Sequence, residues 1–346
     1  MRQKRTDEGV RLMTRPTTLL VTLFLAAAYF IPGTAASAAV TYNPTVATMI
    51  NGVTQAQLEP TVRDLSGEQQ TLVGGSMVTI TSRYSGSGVP IDLAEQYVYE
   101  HMASYGLSSV SYQSYPGQGG SVQPGRNIVG QITGTTNPNQ IVVISAHLDS
   151  MPRVDPNYGA DDNASGISAL LYMARTFAGH SFAYTIQFVA FGSEENGPGT
   201  SDKWGSGYYV SHPPTGKTFA ANINVDAIGV TSDGTNAWIQ TRTANKRPAA
   251  EANMVTLWQD VKTAYSLTGY KASENANSIT GSDQNAFWKR VPGIGAVWFV
   301  EADCFKTTNP NWHTLNDRVS TFNWPYYVAF TKSIVGMAAH QASIIS

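Results

Sequence analysis

The stretch Ile141-Val-Val-Ile-Ser-Ala-His-Leu-Asp-Ser150 decides how this chain is read. Residues 141–146 are apolar or small, with β-branched side chains leading, and the run stops at His147 and Asp149. A continuous apolar run of that length suits a strand covered on both faces. The same arrangement recurs downstream. Thr185-Ile-Gln-Phe-Val-Ala-Phe191 is followed by Glu194 and Glu195, Ala221-Asn-Ile-Asn-Val225 by Asp226, and Ile294-Gly-Ala-Val-Trp-Phe-Val300 by a loop that reaches His313. Between the first two runs, Ile167, Leu170, Leu171 and Ala174 recur at i, i+3, i+4 and i+7, which predicts a helix laid on the sheet. Strand, helix, strand places the chain in the α/β class, with a mixed, mostly parallel central β-sheet flanked by helices. Ligands of such sheets gather beyond the carboxyl ends of the strands. The histidines and carboxylates fall there.

Upstream of this core, Leu93, Tyr97, Val98 and Met102 share one face of a helix predicted over 92–105. Residues 126–133 and 141–146 read as strands and 135–140 as the turn between them, which predicts a hairpin. Residues 39–59 read as a lead-in or the remnant of a propeptide, with a short helix at 61–66, and 60–346 as one domain.

The residues at the strand ends are of metal-binding type. Zinc takes imidazole nitrogen and carboxylate oxygen, and a catalytic zinc keeps one position for water. A metal pair activates one water and stabilises the developing oxyanion, and a carboxylate with two oxygens can bridge both ions. Gly159-Ala-Asp-Asp-Asn-Ala-Ser-Gly166 offers such a carboxylate, Asp161 or Asp162, just before a helix. Asp149, two residues after His147, is placed to accept that ring's other N–H and fix its tautomer. Of Glu194 and Glu195, one can bind metal while its neighbour takes the proton of the attacking water.

Six segments in order, A-H-L-D-S (146–150), G-A-D-D-N-A-S-G (159–166), F-G-S-E-E (191–195), N-V-D-A-I-G (224–229), S-D-Q-N-A-F (282–287) and W-H-T-L-N-D (312–317), resemble the co-catalytic di-zinc aminopeptidases of family M28. The resemblance runs from about residue 60 to the C-terminus. It implies a three-layer αβα architecture, the phosphorylase/hydrolase-like fold of zinc peptidases, with two Zn²⁺ per chain and peptides with a free N-terminus as substrates. Carried over by position, His147 and Asp226 look like ligands of one zinc and Glu195 and His313 like ligands of the other. Asp162, four residues before Gly166, is similar in position to the bridging carboxylate. Glu194 resembles the general base and Asp149 the partner of the first histidine. Trp312, Glu301 and Asp283 are expected to contact substrate, and from their place after the last strand Glu301 and Asp303 could bind its amine.

The chain departs from the family pattern in three places. Gln284 stands where the family usually has His, near the site but not a core ligand, and residues 196–204 are longer than in the simplest members. Trp312 precedes His313 where some aminopeptidases carry Tyr. A Trp-His pair is also similar to the animal-type glutaminyl cyclases, which share the fold, use one zinc and form pyroglutamate. That activity is the first alternative. An inactive secreted binding protein on the same fold is the second, and the presence of all five ligands and Glu194 argues against it.

Composition narrows the remainder. Of 346 residues, 42% are hydrophobic and 13% charged, with a net charge of −2 and no run of like charges, which speaks against a nucleic-acid partner. A single cysteine, Cys304, excludes an internal disulfide and a cysteine-built metal cluster. Five basic residues within 2–15, an apolar stretch over 17–31 and Ala36-Ser-Ala38 form the pattern of a secretory signal peptide over 1–38, with Met13 as an alternative start. The expected product is a secreted monomer, extracellular or periplasmic, with no membrane attachment after cleavage. His101, His180, His212 and His340 have no cluster of carboxylates around them and read as surface or packing histidines, and Asp161 and Asp303 are expected to be solvated loop carboxylates. Asn163-Ala-Ser165 matches a glycosylation sequon but lies inside the proposed metal loop.

Overall fold

The run Ile141–Ala146 lies in the middle of an eight-stranded sheet, every one of its residues buried. The computed structural model describes residues 39–117, 123–195, 204–231, 234–302 and 309–345. The export signal expected at 1–38, Asp303, Cys304 and most of the long segment after Glu195 lie outside these residues.

Helices α1 (Pro44–Asn51) and α2 (Gln55–Leu65) come first, followed by the hairpin β1 (Thr71–Val73) and β2 (Ser76–Val78) and helix α3 (Val89–Ser104). The main sheet is built from β3 (Ser109–Tyr115), β4 (Gly125–Ile132), β5 (Asn137–His147), β6 (Tyr184–Phe191), β7 (Thr218–Val225), β8 (Asn236–Gln240), β9 (Lys271–Asn275) and β10 (Gly295–Glu301). Helices α4 (Gly166–Phe177), α5 (Trp204–Ser211), α6 (Ala249–Ala264), α7 (Gln284–Arg290) and α8 (Trp324–Gln341) complete it. The strand order is β3-β4-β6-β5-β7-β10-β8-β9. The central four, β6, β5, β7 and β10, run parallel, while β4 against β6, β3 against β4 and β8 against β10 are antiparallel.

Alternation along the central strands explains why they read as continuously apolar. Val142, Ile144, Ile186, Phe188, Ile223, Val225, Val297 and Phe299 enter one core, beneath α3, α4, α6 and α8. Ile141, Val143, Val189, Phe191 and Ala296 enter the second, beneath α5 and α7. Both faces of the sheet are therefore covered, and the three layers follow. Among the described residues no helix is long and apolar enough to cross a membrane.

One expectation is corrected. β4 and β5 do not form a hairpin, because the crossover through α4 returns β6 parallel to β5 and seats it between them; β4 pairs with β6 instead. Part of the expected turn, from Asn137, already belongs to β5. The segment 39–59 packs against the rest of the unit. Asn43 caps α1 through its side chain, and Val46, Met49, Ile50 and Leu58 are buried, with α1 against α8 and α2 against α4. The helix expected at 61–66 is the end of α2, which continues through Pro60. Thr41–Pro44 lie beside His340, Ser343 and Ile344, so both ends of the described chain meet at one place.

Candidate metal centre

Three of the candidate ligands sit at or beside the end of a strand or the start of a helix, and Glu195 and His313 sit on loops. His147 ends β5 and Asp226 follows β7, so parallel pairing of these neighbours brings both side chains to one edge. His147 Nε2 lies 3.1 Å from Asp226 Oδ1 and 3.1 Å from Asp162 Oδ1. The other oxygen of Asp162 lies 3.1 Å from His313 Nε2, which is also 2.9 Å from Glu195 Oε1. Two donor sets result, His147/Asp162/Asp226 and Asp162/Glu195/His313, sharing Asp162. His147, Glu194 and Glu195 form a third close group. A cavity of about 250 Å³ opens onto these residues and is walled by Ala227, Gly281, Trp298 and Trp312.

The turn that carries Asp162 is irregular, and its neighbours fix it. Asn163 Nδ2 donates to Val225 O at 3.0 Å, and its Oδ1 accepts from Gly166 N at 2.8 Å and Ala227 N at 3.4 Å. One side chain thus ties the Asp162 turn to the Asp226 loop. A Cβ on Gly166 would lie 2.3 Å from Asn163 Oδ1 and 2.4 Å from Val225 O, so no larger residue fits there. Asn163 is fully buried, in keeping with the expectation that the sequon is not a glycan site. Ser193, Ala227 and His313 have φ of 57°, 51° and 56°, left-handed backbone in non-glycine residues within two positions of Glu195 and Asp226 and at His313 itself. Such conformations cost on the order of 1–3 kcal/mol each and persist where surroundings impose them. Tyr115 Oη donates to Ser193 Oγ at 3.0 Å, and Ala227 O accepts from Glu301 N at 2.9 Å.

Electrostatics follow from crowding carboxylates around two imidazoles. Burial, with Asp162 and Glu194 alongside, pushes the Glu195 carboxyl up to about 8. Burial works against protonation of His313, but hydrogen bonds to Asp162 and Glu195 outweigh it and hold the imidazole up to about 10. Asp162 is buried too, yet both histidines keep it well below the usual carboxylate range. Protons here do what a divalent cation would do, and ligand deprotonation is how metal binding couples to pH. The donor distances of 2.9–3.1 Å are close to the edge, about 3.3 Å, of a tetrahedron with arms of about 2.05 Å. Residue types and spacing both fit zinc.

Asp149 acts differently from the expectation. His147 Nδ1 is 3.0 Å from the backbone carbonyl of Asp149 and 3.7 Å from its carboxylate, too far for a hydrogen bond. The carboxylate instead accepts from Glu194 N at 2.9 Å, Glu195 N at 3.0 Å and Ser85 Oγ at 2.8 Å. Glu301 and Asp283 do not line the cavity. Glu301, 1% exposed, accepts from Val230 N and Asn309 Nδ2, and Asn309 also reaches Asp161. Asp283 is buried at the start of α7. Asp161 is not a solvated loop carboxylate, being 1% exposed with Gly229 N on its Oδ1 at 2.7 Å. Trp312 does reach the cavity, its ring stacked on His313 with centroids 3.6 Å apart. Gln284 is buried and donates to Ile279 O.

Sequence reasoning passed over Arg83, a guanidinium buried under both ligand-bearing loops. It donates to the carbonyls of Leu148, Leu65, Tyr158 and Gly159. Burial lowers its pKa to about 10, against the pull of Asp317, Asp162 and Asp149. No periodicity or motif marks it. Asp317 was also unassigned, although it closes the last of the six segments.

The fold and this centre together define an α/β protein with a candidate zinc site at the carboxyl ends of its parallel strands. The model of peptidase family M28 matches residues 127–338, and the chain belongs to that family. It is 27% identical over 252 residues to aminopeptidase YwaD of Bacillus subtilis, covering 70% of this chain and 50% of that protein. The chain spans about half the length of the curated relatives it matches first. Its fold matches the LapA aminopeptidase of Legionella pneumophila with a TM-score of 0.67 at 20% identity, over 89% of this chain and 76% of the other. It matches Porphyromonas gingivalis glutaminyl cyclase with a TM-score of 0.64 at 18% identity, over 88% and 100%.

Proposed function

We propose that the chain is a zinc aminopeptidase that removes single residues from the free N-terminus of peptides. One observation carries this: two donor sets share Asp162, with Glu194 beside them, at a cavity of about 250 Å³. Held by His147, Asp162 and Asp226 on one side and Asp162, Glu195 and His313 on the other, two zinc ions would polarise the scissile carbonyl and lower the pKa of water. The protein supplies the rest. Glu194, 3% exposed and in the same group as His147 and Glu195, takes the proton of the attacking water. It then passes that proton to the departing amine. Asp149 holds the Glu194–Glu195 turn through both amides. The carboxylate-rich ring favours a substrate α-ammonium, which acetylation would abolish.

A glutaminyl cyclase is the second reading, favoured by Trp312 stacked on His313 and by the match to P. gingivalis glutaminyl cyclase over that chain's full length. One experiment separates them: a peptide pool with free Leu, Phe, Lys and Gln N-termini plus an acetylated control, read by mass spectrometry with and without chelator. Chelator-sensitive loss of single N-terminal residues, sparing the acetylated peptide, is the expected outcome. Loss of ammonia from the Gln peptide alone would replace it with the cyclase. Residues 1–38 we take as an export signal, and the protein as acting outside the cytoplasm; N-terminal sequencing of the secreted protein, expected to begin after Ala38, tests this.

A further inference from the structure

Asp317 belongs to neither donor set, yet its two oxygens have defined partners. Oδ1 accepts from Asp161 N at 2.8 Å and Oδ2 from Asp162 N at 3.0 Å. These are consecutive amides of the turn that carries the shared ligand. Asp162 has non-helical backbone there, φ −109° and ψ 89°, so no regular ladder fixes its amide. The side chain of Asp162 must aim one oxygen at His147 and the other at His313, both at 3.1 Å. An aspartate has only two side-chain torsions, so where its backbone sits largely decides where its oxygens point. Asp149 serves the Glu194–Glu195 turn in the same way, with amides at 2.9 and 3.0 Å. Arg83 adds a second restraint: its N–H groups hold the carbonyls of Leu148, next to His147, and Gly159, which opens the Asp162 turn.

We infer that Asp317 is a positioning residue of the metal centre: by gripping two consecutive amides it sets the direction of Asp162. This rests on the ligand assignment proposed above. A role confined to satisfying two buried amides would affect folding but not metal binding, and the two are separable.

The test is zinc binding by chelator-stripped protein, measured by competition with a chromogenic chelator, together with the visible spectrum of the Co²⁺-substituted form. Wild type should take up two Zn²⁺. Asp317→Asn keeps the shape but only one acceptor oxygen, and should weaken zinc at both positions by about 10- to 100-fold, with an altered Co²⁺ spectrum. Asp149→Asn should weaken the position that uses Glu195 and spare the other. If Asp317→Asn does not fold, Asp317→Glu keeps both oxygens one methylene further out and should show the same double loss. Zinc affinity and Co²⁺ spectrum equal to wild type in whichever variant folds would overturn the inference while leaving the ligand assignment intact. Failure of wild type itself to bind zinc would overturn both.

Discussion

The two halves of the proposed metal centre are built differently. His147 and Asp226 stand at the ends of paired parallel strands, with side chains 1% and 7% exposed. Trp298 Nε1 donates to the carbonyl of Asp226, and Asp226 N donates to Phe299 O. Glu195 and His313 sit on loops, with side chains 9% and 21% exposed, and His313 has left-handed backbone. One half inherits its geometry from the sheet; the other is assembled by side chains such as Asp149 and Tyr115. The sheet-built half should therefore be the more rigid, and local openings with small free-energy cost should concentrate in the other.

The largest effect tests what joins the halves. Asp162→Ala removes a donor from both sets, so zinc content should fall toward zero and activity by more than in any single-set variant; retention of one tightly held ion would show that Asp162 does not bridge. Glu194→Ala touches neither set as proposed. It should keep both zinc ions, seen by metal analysis, while turnover falls about 10²- to 10⁴-fold; wild-type turnover would remove Glu194 from the role of base. Graded chelation should empty the loop-built half first, with midpoints separated by about tenfold, the scale of one outer restraint. A single sharp transition would make the halves equivalent. Smallest is Ser85→Ala, which takes one hydrogen bond to a carboxylate, about 1.5–3 kcal/mol, from Asp149. Its effect on kcat should stay within about tenfold, with zinc content unchanged.

The same division governs what could be read from the sequence. Strand ends announce themselves because an apolar run stops at a charged residue, and this located His147, Glu194, Glu195 and Asp226 next to one another before any coordinates. The helices over 92–105 and 167–177 followed from 3.6-residue periodicity for the same reason, since both signals are local. Which strand sits beside which is not local, and the β4–β5 hairpin was lost to β6 for that reason. Adjacent residues on an irregular turn also escape pattern reading. Asp161 and Asp162 differ by one position, yet one faces the histidines and the other faces Gly229 N and Asn309. Glu301 looked like a substrate contact because it ends a strand, but its carboxylate turns toward Val230 N and Asn309. Asp149 was legible as a residue and not as a geometry, because a backbone carbonyl and a side-chain carboxylate of the same residue do two separate jobs.

The meeting of Thr41–Pro44 with His340–Ile344 has a practical consequence. A short linker there would join the ends of the described unit without stretching the chain. The protein could then be reopened at the exposed Gly74–Gly75 tip of the β1–β2 hairpin, where insertions and new termini are best tolerated. Such a circular permutant would keep every strand end that carries a metal ligand, and its zinc content would report whether the order of elements along the chain matters once their places in space are kept.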